Sequence, residues 1–267
     1  MRMHAYSVMM GVAIMVIGIT AIAAWQKKGE GVRISYQVAP AITLHEPVII
    51  HARFVNEQSK PIILDLGFNR KNGFHFSVIE PGGQRVELEP LSEEGVDAGG
   101  IVRLGERQIY SQRLILDEWY EFRWPGDYLV EVRCEAAMAT QNEGMLHIKI
   151  LPRSECVLQQ RCTELIQQLK KTRSFPKRSE IARELSYVKD PVGIPYIASL
   201  IEEREDYYAI AGLMRIGTDE AMEAMIPATQ SEDVESARYA RGLLRQMLPK
   251  IRNAEIREKV KAVIRNR

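Results

Sequence analysis

The spacing of apolar residues in this chain changes near Pro152, from every second position to every third or fourth. Alternation by two puts successive side chains on opposite faces of a strand, whereas the longer period lines them up along one stripe of a helix. The chain must therefore bury its apolar surface first in sheets and afterwards between helices. Its 267 residues suffice for two ordinary domains with cores of their own.

Before the switch, Val32, Ile34, Tyr36 and Val38 alternate with Arg33, Ser35 and Gln37, as a half-buried strand requires. Further strands are predicted over residues 48–54, 62–66, 74–79, 101–104 and 108–116, with a short one at Val86 and Leu88. Pro81-Gly82-Gly83 and Pro125-Gly126-Asp127 supply turns between them. After the second turn, Tyr128, Val130, Val132 and Cys134 face one way, and Leu129, Glu131 and Arg133 the other. Leu146, Ile148 and Ile150 close the region. Many short strands with Gly/Pro turns predict an antiparallel sandwich of two sheets over residues 31–152.

These residues resemble immunoglobulin-like bacterial domains. LHEPVIIHARFVNEQSKPIILDLG (44–67) is similar to their second strand, an Asn-containing turn and the next strand. PGDYLVEV (125–132) is similar to the penultimate strand, and the resemblance places a corner-forming tyrosine at Tyr128. Antibody-type domains would pair Cys134 with a cysteine on an early strand, and this chain has none there, so a buried thiol is expected.

Beyond Pro152, Ser154 is placed to cap a helix carrying Leu158, Cys162, Leu165 and Leu169. Pro176 is read as breaking that helix, Asp190-Pro191 as ending the next, and Gly217 and Pro249 as later stops. The segments repeat: Leu185 and Val188 before Asp190-Pro191 match Leu213 and Ile216 before Thr218-Asp219, and Ile194 and Ile197 match Met222 and Met225. KDPVGIPYIASLI (189–201) and AIAGLMRIGTDEAMEAMI (209–226) resemble HEAT repeats of the short bacterial type named after phycobilisome lyases. The resemblance implies an α-α solenoid of stacked helix pairs over residues 154–267.

At the other end, residues 5–26 hold no Asp, Glu, Lys or Arg, and VMMGVAIMVIGITAIAAW (8–25) is almost wholly apolar after Arg2. Residues 1–26 are expected to be a signal peptide or a membrane anchor helix. Ala21, Ala23 and Ala24 suit cleavage, whereas the length exceeds a signal core of roughly 7–15 residues and approaches the ~20 that span a bilayer. Either outcome implies export to the cell envelope, anchored or released.

Catalytic signatures are missing. The five histidines, His4, His45, His51, His75 and His147, share no metal-ligand spacing, and no nucleophile elbow, phosphate loop or dinucleotide fingerprint occurs. Cys156 and Cys162 lie on different faces of one predicted helix. No cofactor, metal or small-molecule substrate is expected. The formal net charge of +1 argues against nucleic acid. Arg238, Arg241 and Arg245 form a basic stripe at helical spacing and are the candidate partner-binding residues. Trp119, Tyr120, Phe122, Trp124 and Tyr128 are read as the sandwich core and its edge.

The expectation is a non-enzymatic protein-interaction or scaffold module, reaching the membrane through its leader if that is uncleaved. The alternative is a proteinase inhibitor, since Glu46-Pro47-Val48 and the Asn turn are similar to inhibitor sandwiches; its loop would span residues 89–100. An enzyme is the last reading: the repeat family's name suggests a chromophore lyase, but a fold carries no chemistry by itself.

Overall fold

A computed structural model describes residues 31–92, 99–136 and 143–265. It is a mixed chain, with sheets first and helices last. Three sheets form the first part. One runs β1 (Val32–Gln37), β3 (Ile49–Asn56), β8 (Ile109–Ile115). A second runs β2 (Ala41–Thr43), β10 (Glu143–Leu151), β9 (Gly126–Cys134), β5 (Phe74–Ile79), β6 (Arg85–Glu87). The third pairs β4 (Ile62–Asp65) with β7 (Ile101–Leu104). All three turn their apolar residues into one core containing Phe54, Leu64, Phe74, Leu114, Val130 and Ile148.

The expectation of a wholly antiparallel sandwich is corrected at β2, which pairs in parallel with β10. The chain leaves the three-stranded sheet after Gln37 and joins the five-stranded one, where the Pro40 carbonyl accepts from Lys149 N at 3.0 Å. Three residues are too few to carry an alternation signal, so only the pairing reveals this strand.

Local chemistry fixes the turns. Asn56 is fully buried and donates Nδ2 to the carbonyls of Lys60 (2.8 Å) and Gly105 (2.9 Å), while its Oδ1 accepts from Gln58 N (2.9 Å). One amide thus ties the β3–β4 turn to the end of β7. Tyr128 is buried, and its hydroxyl donates to the Trp124 carbonyl at 2.8 Å. At Gly100 an added Cβ would stand 2.4 Å from the Gly67 carbonyl oxygen, so only glycine lets the two loops meet.

The second part contains α1 (Glu155–Lys171), α2 (Phe175–Leu185), α3 (Ile194–Ala198), α4 (Asp206–Ile216), α5 (Asp219–Ala224), α6 (Val234–Met247) and α7 (Ala254–Arg265). Helices α1, α3, α5 and α7 touch in succession as one layer, and α2, α4 and α6 touch as a second. Between the layers lies a separate core of Leu158, Leu165, Leu185, Ile197, Leu213 and Leu244. Gly217 ends α4 in the left-handed region (φ 70°), as a helix stop at glycine requires.

Two helix-end expectations are corrected. Ser154 holds the N-cap position of α1, but its side chain makes no capping bond, and its N–H donates to Thr43 Oγ1 at 3.1 Å. Pro176 does not break α1, which already ends at Lys171; it sits in the first turn of α2, where a missing N–H costs nothing. Among the described residues no helix is long and apolar enough to cross a membrane. The leader expected at 1–26 lies outside the described residues.

Candidate functional site

Between the two cores runs a seam of charge that only the packing brings together. Glu184 of α2 is buried and accepts from both Arg113 of β8 and Arg161 of α1. Glu118, just after β8, accepts from Arg183 of α2 and from Lys71 Nζ at 2.9 Å. Arg153 grips Asp190 with two bonds, of 2.5 and 2.9 Å. Asp117 Oδ2 accepts from Val48 N at 2.7 Å, and its Oδ1 lies 3.4 Å from Lys189 Nζ. The Lys189 N–H in turn donates to the His45 carbonyl at 3.1 Å.

Burial governs the titration of this seam. It pushes the Asp117 carboxyl up to about 6, against the pull of Lys189 and Val48 N. Burial, helped by the nearby Arg183 charge, pushes the Lys71 ammonium down to about 7. Burial opposes ionisation of Asp190 too, but the Arg153 bonds outweigh it and hold that carboxyl below its ordinary range.

The seam opens into a cleft of about 210 Å³ lined by Thr43, His45, Glu46, Asp117, Lys189 and Arg215 among others. Its cations are engaged within the protein. Lys189 faces Asp117, and Arg215 stacks over the Tyr187 ring at 3.8 Å while donating Nη1 to the Ser186 carbonyl at 3.1 Å. The cleft therefore reads as a charged joint holding sheets and helices together.

An open face lies elsewhere, on the second helical layer. Tyr207 of α4 and Tyr239 of α6 stack with ring centroids 6.1 Å apart, and they are 60% and 44% exposed. Val234, the first residue of α6, is 63% exposed. Two exposed ion pairs from the same segments, Arg204–Glu232 and Arg238–Glu235, add polar groups. Aromatic residues with a polar rim are enriched in protein interfaces generally.

The predicted basic stripe divides on this layer. Arg238 is exposed and paired with Glu235, and Arg245 is exposed. Arg241 is half-buried, with Nη1 donating to the Thr229 carbonyl at 2.5 Å, so it secures the turn before α6. Tyr207 and Tyr239 escaped the sequence reading, although both lie off the buried stripes of their helices, and that displacement was the signal available.

The remaining candidates scatter. His51 and His147 are exposed on strands, His75 lies with Nε2 3.2 Å from Glu135, and His45 occupies a turn at φ 74°. Among the described residues no three of His, Cys, Asp and Glu could hold a metal ion together. Cys134, Cys156 and Cys162 are free; burial pushes Cys134 up to about 11 and Cys162 up to about 12, which keeps both as thiols at neutral pH. Phe122 and Tyr128 are buried and Trp119 and Tyr120 pack against the core, whereas Trp124 is 72% exposed. The 89–100 loop includes residues 93–98, which lie outside the described residues.

No family model and no curated protein matches this chain. Solved structures that match include the CARDB domain of a Pyrococcus furiosus protein in complex with di-metal ions. It is 7% identical with a TM-score of 0.29, covering 48% of this chain and 100% of the domain. The alkylpurine DNA glycosylase AlkC of Pseudomonas fluorescens is 13% identical, with a TM-score of 0.26 over 47% of this chain and 31% of that one. An Escherichia coli alpha-2-macroglobulin fragment, from domain MG7 to the C-terminus, is 11% identical at a TM-score of 0.30, covering 82% of this chain and 42% of its own. Likenesses of this size carry no argument about chemistry.

Proposed function

We propose that this chain is a non-enzymatic interaction or scaffold module of the bacterial cell envelope, binding a protein partner through the second helical layer. The stacked, open Tyr207–Tyr239 pair carries the reading. Burying two such rings supplies the compact aromatic anchor on which protein interfaces depend. The charged seam supports it as well, because a rigid joint lets the sheets hold the helical face at a fixed angle. Residues 1–26 supply the export address or anchor in this reading, and the module binds no nucleic acid, cofactor or small-molecule substrate.

On the same reading the sheets are an immunoglobulin-like sandwich, supported by the Tyr128 bond to Trp124, and the helices a short HEAT-type solenoid, supported by their alternating layers.

A photo-crosslinking residue at position 207 or 239 of the full chain, expressed in its own host, tests the proposal. One discrete protein adduct should form at both positions and none at buried Tyr187. Tyr207→Ala with Tyr239→Ala should weaken the captured complex by about thirtyfold or more, the scale of at least one interface hot spot. Adducts of equal yield at all three positions, or none at 207 and 239, would reject the patch.

A further inference from the structure

Between Glu164 and Glu180 the chain contains no acid but five cations, in LIQQLKKTRSFPKRS. This stretch forms the end of α1, a short turn and the start of α2. Arg178 turns inward, donating to the carbonyls of Leu169 (3.2 Å) and Glu203 (2.9 Å) and lying 3.4 Å from Glu205. Lys170, Lys171, Arg173 and Lys177 are all exposed, and their side chains have no hydrogen-bond or ion-pair partner among the described residues. In their midst Phe175 is 74% exposed, followed by exposed Pro176.

Folding accounts for only part of this arrangement. The negative end of the α1 dipole favours Lys170 and Lys171, but Lys177 stands in the first turn of α2, where the dipole disfavours a cation and no acid is present. The Phe175 ring, with Pro176 beside it, leaves apolar surface in water. Both features would gain from something outside the molecule that is anionic at its surface and apolar just beneath.

We propose that the α1–α2 tip docks on an anionic lipid bilayer, with Phe175 entering the interface and Lys170, Lys171, Arg173 and Lys177 over the headgroups. A projecting turn suits a fluid, yielding surface, whereas a protein partner would have to supply a matching hollow. Each cation brought to such a surface strengthens binding by about fivefold, and four around one aromatic ring combine charge attraction with apolar burial. The tip shares no residue with the tyrosine patch, so either proposal can fail alone.

Limited trypsin digestion of the full chain with lipid vesicles tests this locally, whatever residues 1–26 contribute. With about 30% phosphatidylglycerol in phosphatidylcholine, cleavage after Lys170, Lys171, Arg173 and Lys177 should slow about tenfold relative to phosphatidylcholine alone. Cleavage after Arg107 and Arg204, 85% and 84% exposed, serves as the internal reference and should not change. Salt at about 0.5 M should abolish the protection, since it shortens the screening length to a few ångströms. Phe175→Ser should reduce the protection by about threefold or more, as expected for losing the inserted ring. Equal cleavage in the two vesicles would overturn the proposal. So would protection by a short oligonucleotide or polyglutamate with none by vesicles, which would assign the tip to a soluble polyanion. An unchanged Phe175→Ser would overturn insertion of the ring.

Discussion

At the sheet end of the α1–α2 hairpin, Arg161 and Arg183 meet buried carboxylates; at its tip, Lys170, Lys171, Arg173 and Lys177 meet water. The residue types are nearly the same, and the difference lies in what was desolvated with them. Glu184 and Glu118 have side chains only 2% and 7% exposed, so each needs its cations to be tolerable at all. The tip cations keep their hydration and place no demand on the fold. One end of the hairpin therefore determines how the two halves of the chain are joined, and the other is left available for a surface outside the protein.

The largest test of this contrast is Glu184→Ala. Removing the shared acceptor leaves Arg113 without its ion pair and Arg161 with only its longer contacts to Glu46 (3.7 Å) and Glu164 (3.6 Å), and should lower the unfolding free energy by about 3 kcal/mol in urea titration. A loss below about 0.5 kcal/mol, as for an ordinary surface site, would show that the joint is as dispensable as the tip.

Asp117 sharpens the contrast through pH. Its carboxyl is raised from 3.8 to about 6 in the folded chain, so between those values the folded state holds more proton than the unfolded. Its contribution is therefore complete below about 4 and is lost as pH rises to about 6. Relative to Asp117→Asn, the wild type should lose about 3 kcal/mol across that window and then run parallel. Parallel curves throughout would mean that the Asp117 environment is not the dry one described.

The smallest effect belongs to the tip. Lys170→Glu with Lys171→Glu reverses two charges, yet stability should fall by only about 1 kcal/mol, the share of the α1 dipole, because neither side chain has an ion-pair partner to lose. A shift comparable to that of Glu184→Ala would place the tip cations in the fold and remove the contrast.

Much of the architecture was legible along the chain. The alternation through Tyr128, Val130, Val132 and Cys134 gave β9 and its buried face, and Gly217 marked the end of α4. Those signals are local, since period and turn chemistry act over a few residues. Pro176 is ambiguous along the chain because a proline stops one helix or starts the next according to where the previous one has already ended. Of the candidate basic stripe, Arg238 and Arg245 reach solvent but Arg241 turns to Thr229, because a guanidinium can satisfy a carbonyl that sequence spacing does not reveal.

By itself, then, the sequence determined that sheets precede helices and where most elements begin and end, because backbone preference and apolar spacing are properties of short segments. Only the tertiary structure decided that β2 lies parallel to β10, that Arg113 meets Glu184 across 71 positions, and that Tyr207 stacks on Tyr239. Those contacts depend on which surfaces come together after the segments form, and every lysine, arginine or tyrosine reads alike until its neighbours have been chosen.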